Sequence, residues 1–223
     1  MFKDREEAGK LLAQALAPVI DYSARPIVLA IPRGGIPVAY QIAKTLKIPM
    51  SIVVVRKLGL PWNEEAGFGA VDPTGTAYYE ESVLRFLSPE DVKKVLEKEL
   101  KELKERERKF LPEGYPDLRG RQVIIVDDGV ATGYTAIAAA QFAKKMGAKE
   151  VIVAVPVCPV DAKARIAPYV DKFICYYPVS SPHFAVGMFY QDFHQLTDEE
   201  ALSYIRKAKE EGLFEPTSEA GTP

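Results

Sequence analysis

Cysteine, histidine and asparagine are scarce in this chain: 223 residues include two Cys and two His, and Asn63 is the sole asparagine. Cys158 and Cys175 are too far apart for a CxxC pair, and each sits among apolar neighbours. They read as buried free thiols rather than a disulfide or a metal site. His183 and His194 have no visible Ser or Cys partner, so structural or exposed roles outrank catalysis for both. Sparse amides beside many Glu and Lys residues match the balance of heat-stable chains. Charge of one sign is also lacking. A formal net charge of -2 gives no electrostatic footprint for nucleic acid, and no helix-turn-helix pattern or basic cluster is visible. No apolar run approaches membrane-spanning length and no secretory leader opens the chain, so it reads as cytoplasmic with no membrane partner. Repeats are absent. A GxGxxG turn is missing after the first buried strand, which disfavours a nicotinamide-dependent Rossmann enzyme.

What is present is the composition of a globular protein, 48% hydrophobic and 27% charged, in a chain long enough for one full core with a small accessory lobe. The most informative stretch is VIIVDDGVATGYT, residues 123 to 135. Four branched apolar residues in succession predict a strand covered on both faces, because a half-exposed strand would alternate. Asp127 and Asp128 then fall at its carboxyl end, where open α/β sheets bind ligands. Gly129, Ala131, Thr132 and Gly133 let backbone amides approach a ligand, and helical spacing resumes through Ile137, Phe142 and Met146. A loop of this kind opening a helix suits a phosphate.

Elsewhere the pattern predicts a helix from about Glu6 to Ile20, a strand over residues 26–31, PRGG at residues 32–35, a helix from Ile36 to Leu46 and a strand over residues 50–55. That is a βαβ unit, whose crossover should be right-handed. Arg56 to Asp72 mixes charge, Gly and an exposed-looking Trp62 without sustained periodicity, and reads as a long mobile loop with short strands in GFGAV and TAYYEE. Such loops are usually functional. Ser88, Pro89, early acids and late bases predict one long helix over about 88–110, with a narrow stripe of Val92, Leu96, Leu100, Leu103 and Phe110. The stripe suits a solvated helix, with a lid or a contact in a homo-oligomer as the functional alternative. A strand at EVIVAVPV, a short helix around Asp161 to Ala167 and a strand at DKFICYY follow. Thr197 and Glu200 form a capping box for a last helix through about Lys209, and the end looks frayed.

These residues carry a resemblance. VIIVDDGVATGYT is similar to the phosphoribosyl-pyrophosphate (PRPP) signature of the type I phosphoribosyltransferases, and PRGG resembles that family's pyrophosphate loop. The order strand, PRGG, strand, RK-containing loop, strand, DDxxATGxT, strand is matched from about Pro26 to Val157. FAVGMFYQDFHQLTDEE, residues 184 to 200, further resembles a poorly characterised branch of predicted phosphoribosyltransferases. The resemblance implies an open, twisted, mainly parallel sheet with helices on both faces, plus a small hood built from terminal segments and a long inserted helix. The expected layout is a single domain over residues 1–211, with the inserted helix at about 88–110, the C-terminal hood at about 177–211 and a flexible tail over 212–223.

The implied activity is transfer of phosphoribosyl from PRPP to a nitrogenous base, with release of pyrophosphate. The alternative is a PRPP-binding regulator without transfer. Asp127 and Asp128 would accept hydrogen bonds from the ribose hydroxyls. The amides from Val130 through Ala131, Thr132, Gly133 and Tyr134 to Thr135, after Gly129, would hold the 5-phosphate with the two Thr hydroxyls. Gly34 and Gly35 would turn backbone toward the pyrophosphate, in a loop whose peptide is often cis in the family. Arg33, Arg56 and Lys57 would supply cations, with Asp127, Asp128, Arg33 and Arg56 as the catalytic set. Mg²⁺ would bind mainly through PRPP, with no metal held directly by the protein. The acceptor would meet Val155, Pro156 and Val157, with Phe184 and Tyr190 as candidate stacking rings. Relatives acting on 6-oxopurines tend to carry an acid where this chain has Ala131, which tilts the acceptor toward adenine or uracil.

Overall fold

A computed structural model describes residues 1–217. Its main sheet is built from five strands, β1 (Ile27–Ala30), β2 (Met50–Ile52), β6 (Gln122–Val126), β7 (Glu150–Pro159) and β8 (Lys172–Val179). Their spatial order is β2-β1-β6-β7-β8, and all neighbouring pairs are parallel. Alternate residues of each central strand serve different cores. Val28, Ala30, Ile124, Val126, Ile152 and Ala154 face one apolar cluster with Leu12, Ile36 and Ile205, while Ile27, Leu29, Val123, Ile125, Val151 and Val153 face another with Ala136, Ala140 and Phe142. The uninterrupted run at residues 123–126 arises because both faces of the strand are covered.

Helices α1 (Arg5–Leu16) and α2 (Gly35–Leu46), together with the last helix, cover the first face, and α5 (Tyr134–Lys145) covers the second. From β1 the chain crosses to β2 at the edge. It later returns to the other side of β1 as β6, and then proceeds outward to β7 and β8. The direction of winding therefore reverses between β1 and β6. Their carboxyl ends flank the crevice where doubly wound sheets bind ligands.

The segment expected to be a mobile loop is instead a hairpin. β3 (Arg56–Leu60) pairs antiparallel with β4 (Asn63–Val71) across a two-residue turn at Pro61 and Trp62, and β5 (Ala77–Tyr79) completes a three-stranded sheet. Its strands escape a period-two reading for a physical reason: the register shifts on both sides of Gly59, and such irregularities turn side chains off the alternating pattern. A short helix, α3 (Glu81–Leu84), leads to α4 (Pro89–Phe110). The Ser88 side chain accepts from the Asp91 amide at α4's N-terminus, and Arg108 and Lys109 occupy the last turn, consistent with its dipole. The accessory layer thus includes a small antiparallel sheet beneath the long helix.

The N-terminus and the segment around Tyr190 close the carboxyl side of the sheet, while the C-terminal tail packs at its amino end. Phe2 bridges Tyr190, with the Phe2 amide donating to the Phe189 carbonyl at 2.8 Å, and Phe2, Val157 and Tyr190 form a third cluster partly covered by Phe184, Val186 and Phe193. After the short α6 (Ala162–Ile166) and β8, the capping box at Thr197 and Glu200 opens α7 (Asp198–Glu210). The tail is not loose from 212 onward: Phe214 is buried, the Met50 and Glu215 amides donate to the Leu213 and Met50 carbonyls respectively, and Glu215 pairs with Arg121 at 2.7 Å. The apolar side chains Leu213 and Phe214 supply burial that composition alone did not flag. The rest of the expected tail, 218–223, lies outside the described residues.

Candidate active site

PRGG forms the turn from β1 into α2. Gly35 donates from its amide to the Ile31 carbonyl at 3.0 Å, and the peptide between Pro32 and Arg33 is cis. This turn presses against the acidic pair. A Cβ on Gly34 would stand 2.1 Å from Asp128 Oδ2, and one on Gly35 2.8 Å from the Val126 carbonyl, so any larger residue at either position collides with the site. The two motifs, distant in sequence, meet at the reversal point of the sheet.

Each carboxylate is anchored through one oxygen. Asp127 Oδ1 accepts from the Asp128 amide at 2.8 Å, and Asp128 Oδ2 accepts from Arg5 Nε at 3.0 Å. The two carboxyls also lie within hydrogen-bonding reach of each other, with Asp127 as donor when it carries a proton. Burial raises both pKa values; the neighbouring Asp128 charge pushes Asp127 well above the usual carboxylate range, whereas Arg5 restrains the rise at Asp128. Arg5 was not foreseen as a site residue. Its guanidinium also donates to the His194 carbonyl at 2.9 Å and lies 4.2 Å from the centre of the Phe193 ring. Tyr190 completes the enclosure by donating its hydroxyl to the Asp128 carbonyl at 2.6 Å.

After the acids, the Val130 amide donates to the Val157 carbonyl at 3.1 Å, which ties the loop to β7. Ala131 and Thr132 are exposed at its tip. Gly133, with φ +93°, turns the chain into α5, and no side chain caps that helix. The first-turn amides at Tyr134 and Thr135 thus stand at an uncapped helix N-terminus suited to an anion.

The expected cations surround the same crevice with partners already in place. Arg33 meets Asp198 at 3.3 Å, and Lys109 meets that carboxylate's other oxygen at 2.6 Å. Arg56 pairs with Glu99 of α4 at 2.9 Å, and Lys57 donates to the Glu65 carbonyl at 2.9 Å. Glu64 makes a solvent-exposed pair with Lys98 of α4 at 2.6 Å. Hairpin and helix enclose a groove of about 600 Å³ beside Arg56 and Lys57.

The candidate acceptor residues lie in different environments. Val155 points into the core with Val153, and Pro156 is buried. Val157 packs under Tyr190 in the third cluster. The half-buried Phe184 ring stacks on Phe189 with centroids 5.4 Å apart. His194 is exposed between Asp192 at 2.9 Å and Glu200 at 2.7 Å, which raise its pKa. Among the described residues no group of three His, Cys, Asp or Glu side chains could hold a metal, and no helix is long and apolar enough to cross a membrane. Two adjacent carboxylates fit a Mg²⁺ that keeps its waters and comes bound to substrate phosphates better than one caged by protein.

The fold is thus a doubly wound α/β sheet with an acidic pair at its reversal point and a glycine turn pressed against that pair. The chain belongs to the phosphoribosyl transferase domain family, which it matches over residues 1–192. It is 41% identical over 214 residues to the Mycobacterium tuberculosis protein named "Putative phosphoribosyl transferase Rv0571c", with 93% of this chain and 47% of the relative covered. The chain therefore spans about half the length of that relative. The crystal structure of TT1426 from Thermus thermophilus is similar over 92% of this chain and 98% of its own, with 35% identity and a TM-score of 0.74. A Neisseria gonorrhoeae protein solved with bound ppGpp shares the fold at 16% identity and a TM-score of 0.52, over 93% of this chain and 98% of its own.

Proposed function

We propose that this protein transfers the phosphoribosyl group of PRPP to a ring nitrogen of a base, releasing pyrophosphate with Mg²⁺ as the accompanying ion. The observation that carries the reading is the close approach of Gly34 to Asp128, which supports a pyrophosphate role for the turn and a ribose role for the acid beside it. Both ends of the reacting bond then have partners.

The carboxyl oxygens of Asp127 and Asp128 accept hydrogen bonds from the ribose 2- and 3-hydroxyls, while the Asp128 amide and Arg5 keep the two carboxyls oriented. Arg5 keeps its bond to Asp128 Oδ2 throughout. The uncapped turn of α5 receives the 5-phosphate, and the Pro32–Gly35 turn with Arg33 and Arg56 receives the diphosphate. When bound, Mg²⁺ neutralises charge on the diphosphate oxygens. As the bond from C1 to the diphosphate oxygen breaks, its electron pair leaves with pyrophosphate, and the nitrogen lone pair forms the new bond. The carboxylates near the ribose support the positive charge that develops on its ring. The exposed tip of the hairpin, residues 59–67, excludes water when it closes over the crevice.

The deciding experiment incubates the protein with PRPP, Mg²⁺ and a panel of bases including adenine and uracil, and follows pyrophosphate release. Base-dependent release is expected. Absence of release with every base, while PRPP still binds, would support the regulator reading instead.

A further inference from the structure

The long helix α4 has so far supplied only Glu99 and Lys109 to the crevice, yet one of its arginines reaches deeper. Glu99, Leu103, Arg106 and Phe110 recur at helical spacing on one face, and Leu103 and Phe110 are fully buried there. Arg106 therefore points inward near the C-terminal end of a helix that is otherwise well solvated. Its Nη1 lies 3.4 Å from the carbonyl oxygen of Pro32, the first residue of the PRGG turn. That bond is at the outer limit of useful length, and among the described residues it is the sole hydrogen bond of a group with five N–H donors.

The surroundings are overcharged for a protein at rest. Burial pushes the Arg106 pKa down to about 10, and the charges of Arg56 and Arg33 push it the same way, with Asp198 and Glu102 opposing. Arg33 shares Asp198 with Lys109, so one carboxylate serves two cations, and Glu99 is committed to Arg56. Arg33, Arg56 and Arg106, from three separate elements, thus stand close enough for the charges of the first two to press on the third, with only Asp198 and Glu102 opposing them. Such an excess is costly in a partly desolvated site unless an anion completes it.

We propose that Arg106 is a third cationic arm of the leaving-group subsite, so that the inserted helix takes part in binding diphosphate. This rests on the phosphoribosyltransferase reading for the identity of the substrate, but not for the binding of the anion. The guanidinium is planar and presents paired donors to two phosphate oxygens, which replaces its single long bond to Pro32.

The test is calorimetric titration of wild type, Arg106→Gln and Arg106→Lys with inorganic pyrophosphate in the presence of Mg²⁺, and separately with ribose 5-phosphate. Hydrogen bonds to charged groups are worth enough that Arg106→Gln should weaken pyrophosphate binding by about 10- to 100-fold. Arg106→Lys, which keeps the charge and loses the fork, should fall in between. Ribose 5-phosphate affinity should stay unchanged in both, and Arg108→Gln, exposed on the same helix, should match wild type throughout. Unchanged pyrophosphate affinity in folded Arg106→Gln overturns the proposal, as does equal loss for pyrophosphate and ribose 5-phosphate. If Arg106→Gln fails to fold, the lysine variant decides, and wild-type affinity there refutes the fork. Arg106-dependent pyrophosphate binding without transfer to any base would leave this inference standing while the activity reading fails. Transfer with Arg106-independent pyrophosphate binding gives the reverse.

Discussion

Replacing Arg5 by Met keeps most of the apolar stem and removes the charge that faces Asp128. The pair is well enclosed: the side chains are 8% and 15% exposed, and the contact is 3.0 Å. Breaking a buried pair by deleting one member typically costs about 3 to 5 kcal/mol, because the other charge is left uncompensated. For a domain of this size each kcal/mol moves the melting temperature by about 2 to 4 °C, so the variant should melt roughly 6 to 20 °C below wild type at pH 8. The pH dependence is the sharper signature. Burial already raises the Asp128 pKa and Arg5 opposes that rise, so the variant's folded-state pKa should climb further above the unfolded value. A carboxyl raised on folding binds more protons in the native state, so its penalty is absent below the unfolded pKa, grows as pH rises from the unfolded to the folded pKa, and is constant above the folded one. The deficit should therefore be largest at pH 8 and shrink toward pH 5, as Asp128 takes up a proton in place of its lost partner. Thermal unfolding followed by circular dichroism at pH 5, 6, 7 and 8 measures this. An equal deficit at all four values would refute the electrostatic account and leave a packing effect.

Asp127→Asn and Asp128→Asn should each lower catalytic efficiency by about 10- to 100-fold, since each exchanges a charged acceptor for a neutral amide; wild-type steady-state kinetics from both would remove the acids from the site. Gly34→Ala should displace the Asp128 carboxylate, which stands 2.1 Å from the new Cβ, and weaken PRPP binding measured by calorimetry, whereas unchanged affinity would mean that the turn can yield. Limited proteolysis should cut within Lys57 to Phe68 in the free protein and be suppressed by PRPP with Mg²⁺, because closure buries the hairpin; cleavage indifferent to ligand would argue against a lid. Arg33→Gln should weaken PRPP binding in titrations more than it lowers the melting temperature, since Asp198 holds it in a partly exposed pair, whereas Arg56→Gln should lower both because it leaves the buried Glu99 unpaired; unchanged PRPP affinity in either would assign that residue to structure.

Local chemistry determined a good deal without reference to the rest of the chain. Val123 to Val126 had to be a covered strand, because four consecutive branched residues leave no polar face. Ser88 with Pro89, and Thr197 with Glu200, started helices where the structure starts them, since capping needs only residues three apart. The acidic pair and the glycine turn were legible for the same reason: each is a short motif whose backbone demands are written in adjacent residues. The hairpin at Arg56 to Val71 was not, because its pairing is set by the partner strand and by α4 rather than by its own periodicity. Phe214 resembled the start of a loose end until Met50 was placed beside it. Arg5 and Arg106 were invisible as site residues for a stronger reason. Arg5 reaches Asp128 across 123 positions of sequence and Arg106 reaches Pro32 across 74, so nothing in either one's neighbourhood distinguishes it from a solvated helix cation. The packing of α1 and α4 onto the reversal point of the sheet, which no local pattern encodes, is what draws Arg5 and Arg106 out of water.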